Sequence, residues 1–294
     1  MRACSAGARA PAPPQRCHAQ LGAGSCTPRC PVLVLPGFLS NATTSPGSQY
    51  SELAANLRAR GHAVDVLPAH TRDWLPTLRG GSFAWFLERT AEHVARLADT
   101  HGGPVGLVGI SAGGWLARLA LAAVPYEGRV WGLGPSVSAL VTCGSPHLSA
   151  EAYPFGRAEE GWIRATGCAP KGVTTSLQWA NHHLPDAASL APVRVLCVAG
   201  AAAKGEAFGW SNVRAVLSGR LALSEAGNRL FVQSSYVANC GRVDVDGDGV
   251  CPVETALLPG AEALVLPGVF HDAAKGRRWY GSADVVELWA GWLT

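Results

Sequence analysis

The chain has 294 residues, of which 48% are hydrophobic and 15% are charged, a composition that excludes an intrinsically disordered chain and is typical of a protein with a sizeable core. The formal net charge of +3 comes from the N-terminus, because four arginines precede Glu52, the first acidic residue. The rest of the chain has 20 basic against 21 acidic residues, a balance that gives no support for nucleic-acid binding.

Residues 1 to about 30 are rich in Arg, Ala, Pro and Cys and contain no acidic residue. This composition is typical of an organelle transit peptide, and the segment has no long apolar region like that of a secretory signal. A disordered tail is the alternative. A single domain is predicted to follow, from residue 31 to residue 294.

The cysteines and the apolar runs give no support for a disulfide-rich, a zinc-binding or a membrane-spanning protein. Nine cysteines contain no C-x-x-C pair and no metal-ligand spacing, so neither a disulfide framework nor a zinc site is indicated. Cys143 and Cys197 lie in apolar runs and are predicted to be buried thiols. No apolar stretch approaches the ~20 residues that span a bilayer.

The first predicted element is a strand in the run Pro31-Val32-Leu33-Val34-Leu35-Pro36-Gly37-Phe38. A continuous apolar run bounded by prolines is typical of a strand that is covered on both faces of a parallel sheet.

The following segments alternate between helix and strand patterns. Residues 49–60 and 82–100 have the apolar spacing of helices, the second with Ser82 as its N-cap, and a short strand is predicted between them. The predicted strands are residues 63–67, 104–109, 137–142, 193–199 and 263–266, and further helices are predicted at residues 113–124 and 282–293. This alternation predicts an α/β domain with a doubly wound, mostly parallel sheet.

Residues 105–115, Val-Gly-Leu-Val-Gly-Ile-Ser-Ala-Gly-Gly-Trp, join a predicted strand to a predicted helix. The pattern Gly109-x-Ser111-x-Gly113 in that context is the signature of a nucleophile elbow, in which the serine stands at the apex of a sharp turn. A chain with 35 glycines can contain this pattern by chance, but the strand and helix around it favour the functional interpretation. Ser111 is therefore predicted to be a nucleophile.

A nucleophilic serine needs backbone N–H groups to stabilise the oxyanion that forms on its substrate. Ala112, at the N-terminus of the predicted helix, supplies one such donor. In proteins with this elbow, a loop after another strand supplies the second donor. Here that loop follows the first predicted strand, and Phe38 is the favoured donor, with Leu39 next. An ordinary turn without this role is the alternative.

Two stretches interrupt the alternation of helices and strands. Residues 148–192 have no strand period and are predicted to form a cap inserted over the active site. Their aromatic side chains either line that site for an apolar acyl group or pack in a core of their own. These side chains are Tyr153, Phe155, Trp162 and Trp179. Residues 204–240 form a second excursion, to which no role is assigned.

A serine nucleophile is activated by a histidine, which a carboxylate orients, and in nucleophile-elbow enzymes the chain order is Ser, acid, His. Asp248 lies in an acidic segment before the last predicted strand and is the favoured acid, with Asp246 and Glu254 as alternatives. His271 is the only histidine that follows all three, so it is the predicted base. His147 is the competing candidate, because it follows the strand after the elbow.

The acidic segment has a second interpretation as a calcium loop. Asp244, Asp246, Asp248 and Gly249 match positions 1, 3, 5 and 6 of an EF-hand. Position 12, which requires Glu, is Thr255, and no helix pair is predicted around the loop. A metal site is therefore disfavoured.

Seven blocks occur in a fixed order along residues 32 to 294: Leu35-Pro36-Gly37, Arg72-Asp73-Trp74-Leu75, Gly109 to Arg118, Gly144-Ser145-Pro146-His147, Gly247-Asp248-Gly249-Val250, Val269-Phe270-His271 and Trp279-Tyr280-Gly281-Ser282. Together they resemble the lipase-like α/β-hydrolase proteins of plants, algae and cyanobacteria that are distantly similar to GPI inositol-deacylases. The resemblance implies an α/β-hydrolase fold, a triad of Ser111, Asp248 and His271, and a chloroplast location, with mitochondrion or cytoplasm as alternatives. The sequence departs from the family at Ile110, usually His, and at Cys251, often aliphatic.

These observations predict a serine hydrolase that cleaves carboxylic esters, with lipid acyl esters as the expected substrates, through an acyl-enzyme. No cofactor and no metal is expected. Expected partners are a small-molecule or lipid ester and a peripheral membrane surface, without a transmembrane segment or a nucleic acid. An acyltransferase or thioesterase on the same triad is one alternative, and a non-catalytic binding protein with this fold is another.

Overall fold

The structure is a computed structural model that describes residues 29–42, 45–151, 159–166 and 169–293. The predicted N-terminal segment up to residue 28 lies outside these ranges, as do the predicted cap residues Tyr153 and Phe155. The strands are β1 (Val32–Leu35), β2 (Val64–Val66), β3 (Val105–Ile110), β4 (Val137–Cys143), β5 (Arg194–Ala201), β6 (Ala203–Lys204), β7 (Asp246–Gly247) and β8 (Glu262–Pro267). The α-helices are α1 (Gln49–Arg58), α2 (Thr71–Trp74), α3 (Ala84–His101), α4 (Ala112–Leu121), α5 (Gly161–Ala165), α6 (Ser176–His183), α7 (Trp210–Leu217), α8 (Leu223–Cys240), α9 (Val253–Ala256) and α10 (Ala283–Trp289).

Six of these strands form one sheet in the order β2-β1-β3-β4-β5-β8, and every neighbouring pair is parallel. All residues of β1 and β3 are buried, as expected for apolar strands covered on both faces. Strands β6 and β7 form a separate antiparallel pair. The predicted α/β class with a mostly parallel sheet flanked by helices is confirmed.

The strand order reverses between β1 and β3, because the chain first runs from β1 to β2 and then returns to the other side of β1. In open α/β sheets, ligands bind in the crevice at the carboxyl ends of the strands at such a reversal. The loop at residues 36–38 and the turn at Ser111 follow β1 and β3. The topology therefore places both at the expected ligand site.

All four predicted helices occur, but their ends differ from the predicted ones. The first helix ends at Arg58 rather than at residue 60. Ser82 is not the N-cap of α3, which is Phe83, because the buried Phe83 ring packs against Trp115 and its N–H donates to Tyr126. Helix α4 ends at Leu121 rather than at residue 124, since a proline at residue 125 disfavours helical backbone before it. The last predicted helix ends as the 3-10 turn Ala290–Trp292.

The described part of the predicted cap insert contains α5 and α6. The rings of Trp162 and Trp179 lie 5.2 Å apart, and Trp162 contacts the ring of Tyr126 at 4.5 Å, which favours the interpretation that these aromatics pack in a core. The buried Arg118 of α4 donates to the carbonyl oxygen of Leu184 at 2.5 Å and ties α6 to α4. That the insert covers the active site stays a prediction.

Cys143 and Cys197 are buried, as predicted. Within the described ranges, none of the helices combines the length and the apolar character that crossing a membrane requires.

Candidate active site

Ser111 is the residue at which β3 ends and α4 begins. Its φ is 53° and its ψ is −125°, a backbone conformation that costs a residue with a Cβ on the order of 1–3 kcal/mol. The Ser111 N–H donates to the carbonyl of Cys143 at 2.9 Å, and its carbonyl accepts from Gly114 at 3.1 Å. These hydrogen bonds hold the strained turn in place, as expected of a nucleophile elbow.

Glycine at position 113 lets the new helix start against β1. A Cβ at Gly113 would lie 2.3 Å from the carbonyl oxygen of Leu35, which is closer than any side chain tolerates. The second glycine of the Gly-x-Ser-x-Gly pattern is therefore required by the approach of helix and strand, independently of any chemistry.

The loop after β1 lies directly against Ser111. A Cβ at Gly37 would be 2.9 Å from the Ser111 Cβ and 3.5 Å from its Oγ. Leu39 has a left-handed φ of 57°, so the loop bends sharply after Phe38. In the described part of the chain, the N–H groups of Phe38 and Ala112 donate to no protein acceptor. Both are available to a ligand oxygen, and their role as an oxyanion hole stays a prediction.

Asp248 and His271 form a direct hydrogen bond. The distance from His271 Nδ1 to Asp248 Oδ2 is 2.7 Å, the Asp248 side chain is 0% exposed and the His271 side chain is 14% exposed. The backbone N–H of His271 also donates to the Asp248 carbonyl at 3.0 Å. Because an ionised carboxylate only accepts hydrogen bonds, Nδ1 carries the imidazole proton and the Nε2 lone pair faces away from Asp248.

The Asp248 carboxylate accepts four hydrogen bonds. Its Oδ1 accepts from the backbone N–H groups of Val250 at 2.9 Å and Cys251 at 2.7 Å. Its Oδ2 accepts from His271 and from the Tyr280 hydroxyl at 2.8 Å. Four donors compensate the buried charge and fix the carboxylate plane, so the orientation of the imidazole is fixed with it.

Tyr280 is a member of this network to which sequence reasoning assigned no role. Its hydroxyl donates to Asp248 and accepts from the backbone N–H of Gly200 at 2.8 Å. Burial and the charge of Asp248 raise the pKa of Tyr280 well above its ordinary value, so the hydroxyl keeps its proton. A bridge between Phe270 and Trp279 brings the two segments together, a contact for which the sequence carries no local signal.

The pKa of His271 is higher than that of an ordinary histidine. Burial by itself lowers this pKa, but the charge of Asp248, the hydrogen bond to Asp248 and the charge of Asp272 together raise it. The imidazolium that forms when His271 takes a proton is therefore stabilised.

His271 lies at the wall of a cavity of about 280 Å³. The cavity is also bordered by α8 residues and by the loops after β6 and β8, among them Lys204, Arg229, Phe231 and Phe270. Its lining combines apolar and charged side chains. Ser111 is not among the residues that line this cavity. Within the described residues, no hydrogen bond joins the Ser111 hydroxyl to His271, and the serine–histidine contact of a catalytic site is often long before a substrate binds.

The competing histidines have other environments. His147 is fully buried, with Nε2 at 3.1 Å from Thr142 Oγ1 and Nδ1 at 3.5 Å from Arg118 Nη1. Burial and the charge of Arg118 lower its pKa well below the ordinary value, so it is a neutral core residue. His182 is exposed, and His183 is half-buried against Trp179.

The alternative acids are not placed beside His271. Asp246 is exposed on β7, and the exposed Glu254 pairs with Arg242 at 3.0 Å.

The structure does not favour the calcium-loop interpretation of the acidic segment. Asp244 and Asp246 are exposed while Asp248 is buried, so the three aspartates do not converge as an EF-hand loop requires. No cluster of three metal-ligating side chains occurs in the ranges that the structure describes.

Comparisons with known proteins identify the fold of the chain. No protein-family model and no curated protein matches it. The mature form of the Bacillus licheniformis lipase BlEst2 is similar with a TM-score of 0.55 and 14% identity, over 91% of this chain and 93% of that chain. The metagenomic carboxyl esterase MGS0156 is similar with a TM-score of 0.55 and 16% identity, over 97% and 81% of the two chains. These likenesses and the parallel sheet show an α/β-hydrolase fold, and the narrower resemblance to inositol-deacylase-like proteins stays a prediction.

Proposed function

We propose that this chain, which has the α/β-hydrolase fold, is a serine hydrolase that cleaves carboxylic esters, with lipid acyl esters as its substrate class. The observation that carries the proposal is the buried Asp248–His271 hydrogen bond in a chain whose Ser111 holds the strained backbone of an elbow. A protein that only binds ligands has no need for this combination. The names of the two similar structures, a lipase and a carboxyl esterase, support the same reaction class.

In the proposed reaction, Ser111 Oγ attacks the acyl carbonyl carbon while His271 Nε2 takes the hydroxyl proton. Asp248 stabilises the resulting imidazolium and keeps its orientation. The tetrahedral oxyanion accepts hydrogen bonds from the N–H groups of Phe38 and Ala112, each worth about 3–4 kcal/mol in comparable sites.

Collapse of this intermediate breaks the ester bond, and the leaving alcohol takes the proton from His271. A water molecule then attacks the acyl-enzyme, with His271 again as base, and releases the carboxylic acid and free Ser111. The reaction needs no group beyond the chain and water.

A lipid ester suits the cavity beside His271. Phe231, Val232 and Phe270 provide an apolar wall, and the same lining carries both basic and acidic side chains. An amphiphilic ester with an acyl chain and a polar head contacts both kinds of surface favourably.

Labelling with a fluorophosphonate tests the proposal. Intact-mass analysis of the full chain is expected to show one adduct on the wild type and none on Ser111→Ala, because only an activated serine reacts. Ser189→Ala, which removes an exposed serine elsewhere on the surface, is the matched control and is expected to retain the adduct. An adduct that persists on Ser111→Ala, or none on folded wild type, would contradict the proposal. Acyl esters of increasing chain length then define the substrate class.

The pH dependence of hydrolysis follows from the raised pKa of His271. The base must be neutral to accept the serine proton, so kcat/KM for an uncharged ester is expected to rise with pH through the pKa of His271. Since that pKa is raised, the midpoint of the acid limb is expected above about 6.5, the ordinary value of histidine. Asp272→Asn removes a charge that raises the pKa and is expected to move the midpoint to lower pH. A wild-type midpoint below the ordinary value would show that another group is titrating.

A further inference from the structure

Helices α7 and α8, which form the excursion without an assigned role, present large apolar side chains to solvent. The exposed fractions are 82% for Trp210, 82% for Leu217 and 77% for Leu223. No residue of α7 is buried. Leucine and tryptophan side chains this exposed and this close together along a chain mark an interaction surface.

The exposed residues follow helical faces. On α7, Trp210, Arg214 and Leu217 have the i, i+4, i+7 spacing of a single face. On α8, the exposed Leu223 and Leu230 are seven residues apart, which again places them on one face. Both helices therefore present large apolar side chains to solvent on one face.

Residues 207–224, from the loop before α7 to the start of α8, have a positive net charge. Residues 207–224 contain two basic residues, Arg214 and Arg220, and no acidic residue. Both arginines are exposed, and within the described ranges neither pairs with a carboxylate. The next arginine, Arg229, differs because it pairs with Glu206 at 3.2 Å and Glu225 at 2.8 Å.

Exposed tryptophan, leucine and arginine together are the side chains that an anionic bilayer surface binds. Tryptophan prefers the headgroup level, leucine enters the boundary of the acyl chains, and arginine is attracted to lipid phosphates. A second protein with an acidic, apolar face is a different occupant, and binding to protein-free vesicles separates the two.

The surface continues into the cavity beside His271. Arg229, Phe231 and Val232 of α8 line the cavity that contains His271, and Phe231 is also exposed to solvent. One helix therefore carries part of the exposed apolar face and part of the cavity wall. A bilayer that binds this face lies next to the mouth of the cavity.

We propose that the α7–α8 pair docks the protein onto bilayers that contain anionic phospholipid. Trp210, Leu217 and Leu223 enter the headgroup–acyl boundary, and Arg214 and Arg220 contact lipid phosphates. The docking presents ester-linked lipid to the cavity beside His271, and for this last step the proposal rests on the proposed function.

Vesicle flotation of the full chain tests the docking. Wild type is expected to bind vesicles of phosphatidylcholine mixed with phosphatidylglycerol more strongly than phosphatidylcholine alone, by about fivefold for each contacting arginine. Arg214→Gln combined with Arg220→Gln is expected to remove that preference. Leu217→Asp combined with Leu223→Asp is expected to lower binding to both vesicles by more than about tenfold. Because both leucines are exposed, thermal unfolding should match that of wild type.

Leu288→Asp is the matched control, since Leu288 is a helical leucine on α10 that is 52% exposed; it is expected to bind vesicles like wild type. All variants keep the N-terminal arginines, so any contribution of these to vesicle binding is the same throughout. Equal loss of binding by Leu288→Asp and by the Leu217/Leu223 variant would overturn the proposal. A dimer that the Leu217/Leu223 substitutions dissociate, without vesicle binding by wild type, would also overturn it.

Hydrolysis of a water-soluble short-chain ester by the wild type, measured in parallel, separates this proposal from the proposed function. Ester hydrolysis without vesicle binding would overturn the docking alone. Vesicle binding that depends on α7 and α8, without ester hydrolysis, would support the docking and reject the proposed reaction.

Discussion

Replacement of His271 by alanine is expected to lower kcat for ester hydrolysis by about 10⁵- to 10⁶-fold. Without the imidazole the Ser111 hydroxyl keeps its proton and is a weak nucleophile. The backbone N–H groups of Phe38 and Ala112 do not depend on this side chain, so a residual rate above that in water is expected. Steady-state kinetics and fluorophosphonate labelling of the folded variant measure both effects.

His147→Gln is the control for this prediction. His147 contacts Thr142 and Arg118 inside the core, so its loss is expected to reduce the free energy of unfolding by about 1–3 kcal/mol through unpaired polar groups. The kcat of the folded fraction should stay near that of wild type. If His147→Gln lost turnover and His271→Ala kept it, the assignment of the base would be wrong.

The central strands were predictable because their physical requirements are local. A parallel strand buried on both faces must be apolar throughout, and the runs at β1 and β3 meet that requirement between Pro or Gly residues. The N-cap of α3 was not predictable in the same way. Ser82 has the better capping side chain, but the burial of the Phe83 ring determines where the helix starts. Tertiary packing overrides a capping preference of about 1 kcal/mol.

The order of Ser111, Asp248 and His271 along the chain also allowed a prediction, since one order is imposed by the fold. The hydrogen bond between Asp248 and His271 is what that prediction requires, although the catalytic role of all three residues stays untested. Tyr280 could not be identified, because a tyrosine beside a tryptophan has the pattern of a core aromatic. Its partner Asp248 lies 32 residues earlier.

The solvent exposure of the α7–α8 segment could not be predicted from the sequence. Its leucines have the spacing of a helix that packs on a core, and the sequence alone contains no sign that Leu217 and Leu223 face solvent. Exposure depends on whether another element covers the helix. The structure puts α8 at the wall of the cavity beside His271, and that the insert at residues 148–192 covers the active site stays a prediction.

Asp248→Asn is expected to lower kcat by about 10⁴-fold, the cost of the wrong imidazole tautomer in a serine triad. The amide can still accept from Val250 and Cys251 at one oxygen, so the fold is expected to persist. Its NH₂ group would face His271 and would favour the proton on Nε2, where it blocks transfer from Ser111. Loss of the negative charge also lowers the pKa of His271, so the residual activity should show its acid limb at lower pH.

Tyr280→Phe separates this tautomer effect from a simple loss of hydrogen bonding. It removes one donor to Asp248 Oδ2 but keeps the carboxylate and its charge, so the Nδ1–H tautomer of His271 is retained. The expected loss is about tenfold in kcat, in line with a single hydrogen bond to a charged group. An Asp248→Asn loss no larger than that of Tyr280→Phe would mean that Asp248 only supports the packing around His271, and Asp246 and Glu254 would then be the acids to replace next.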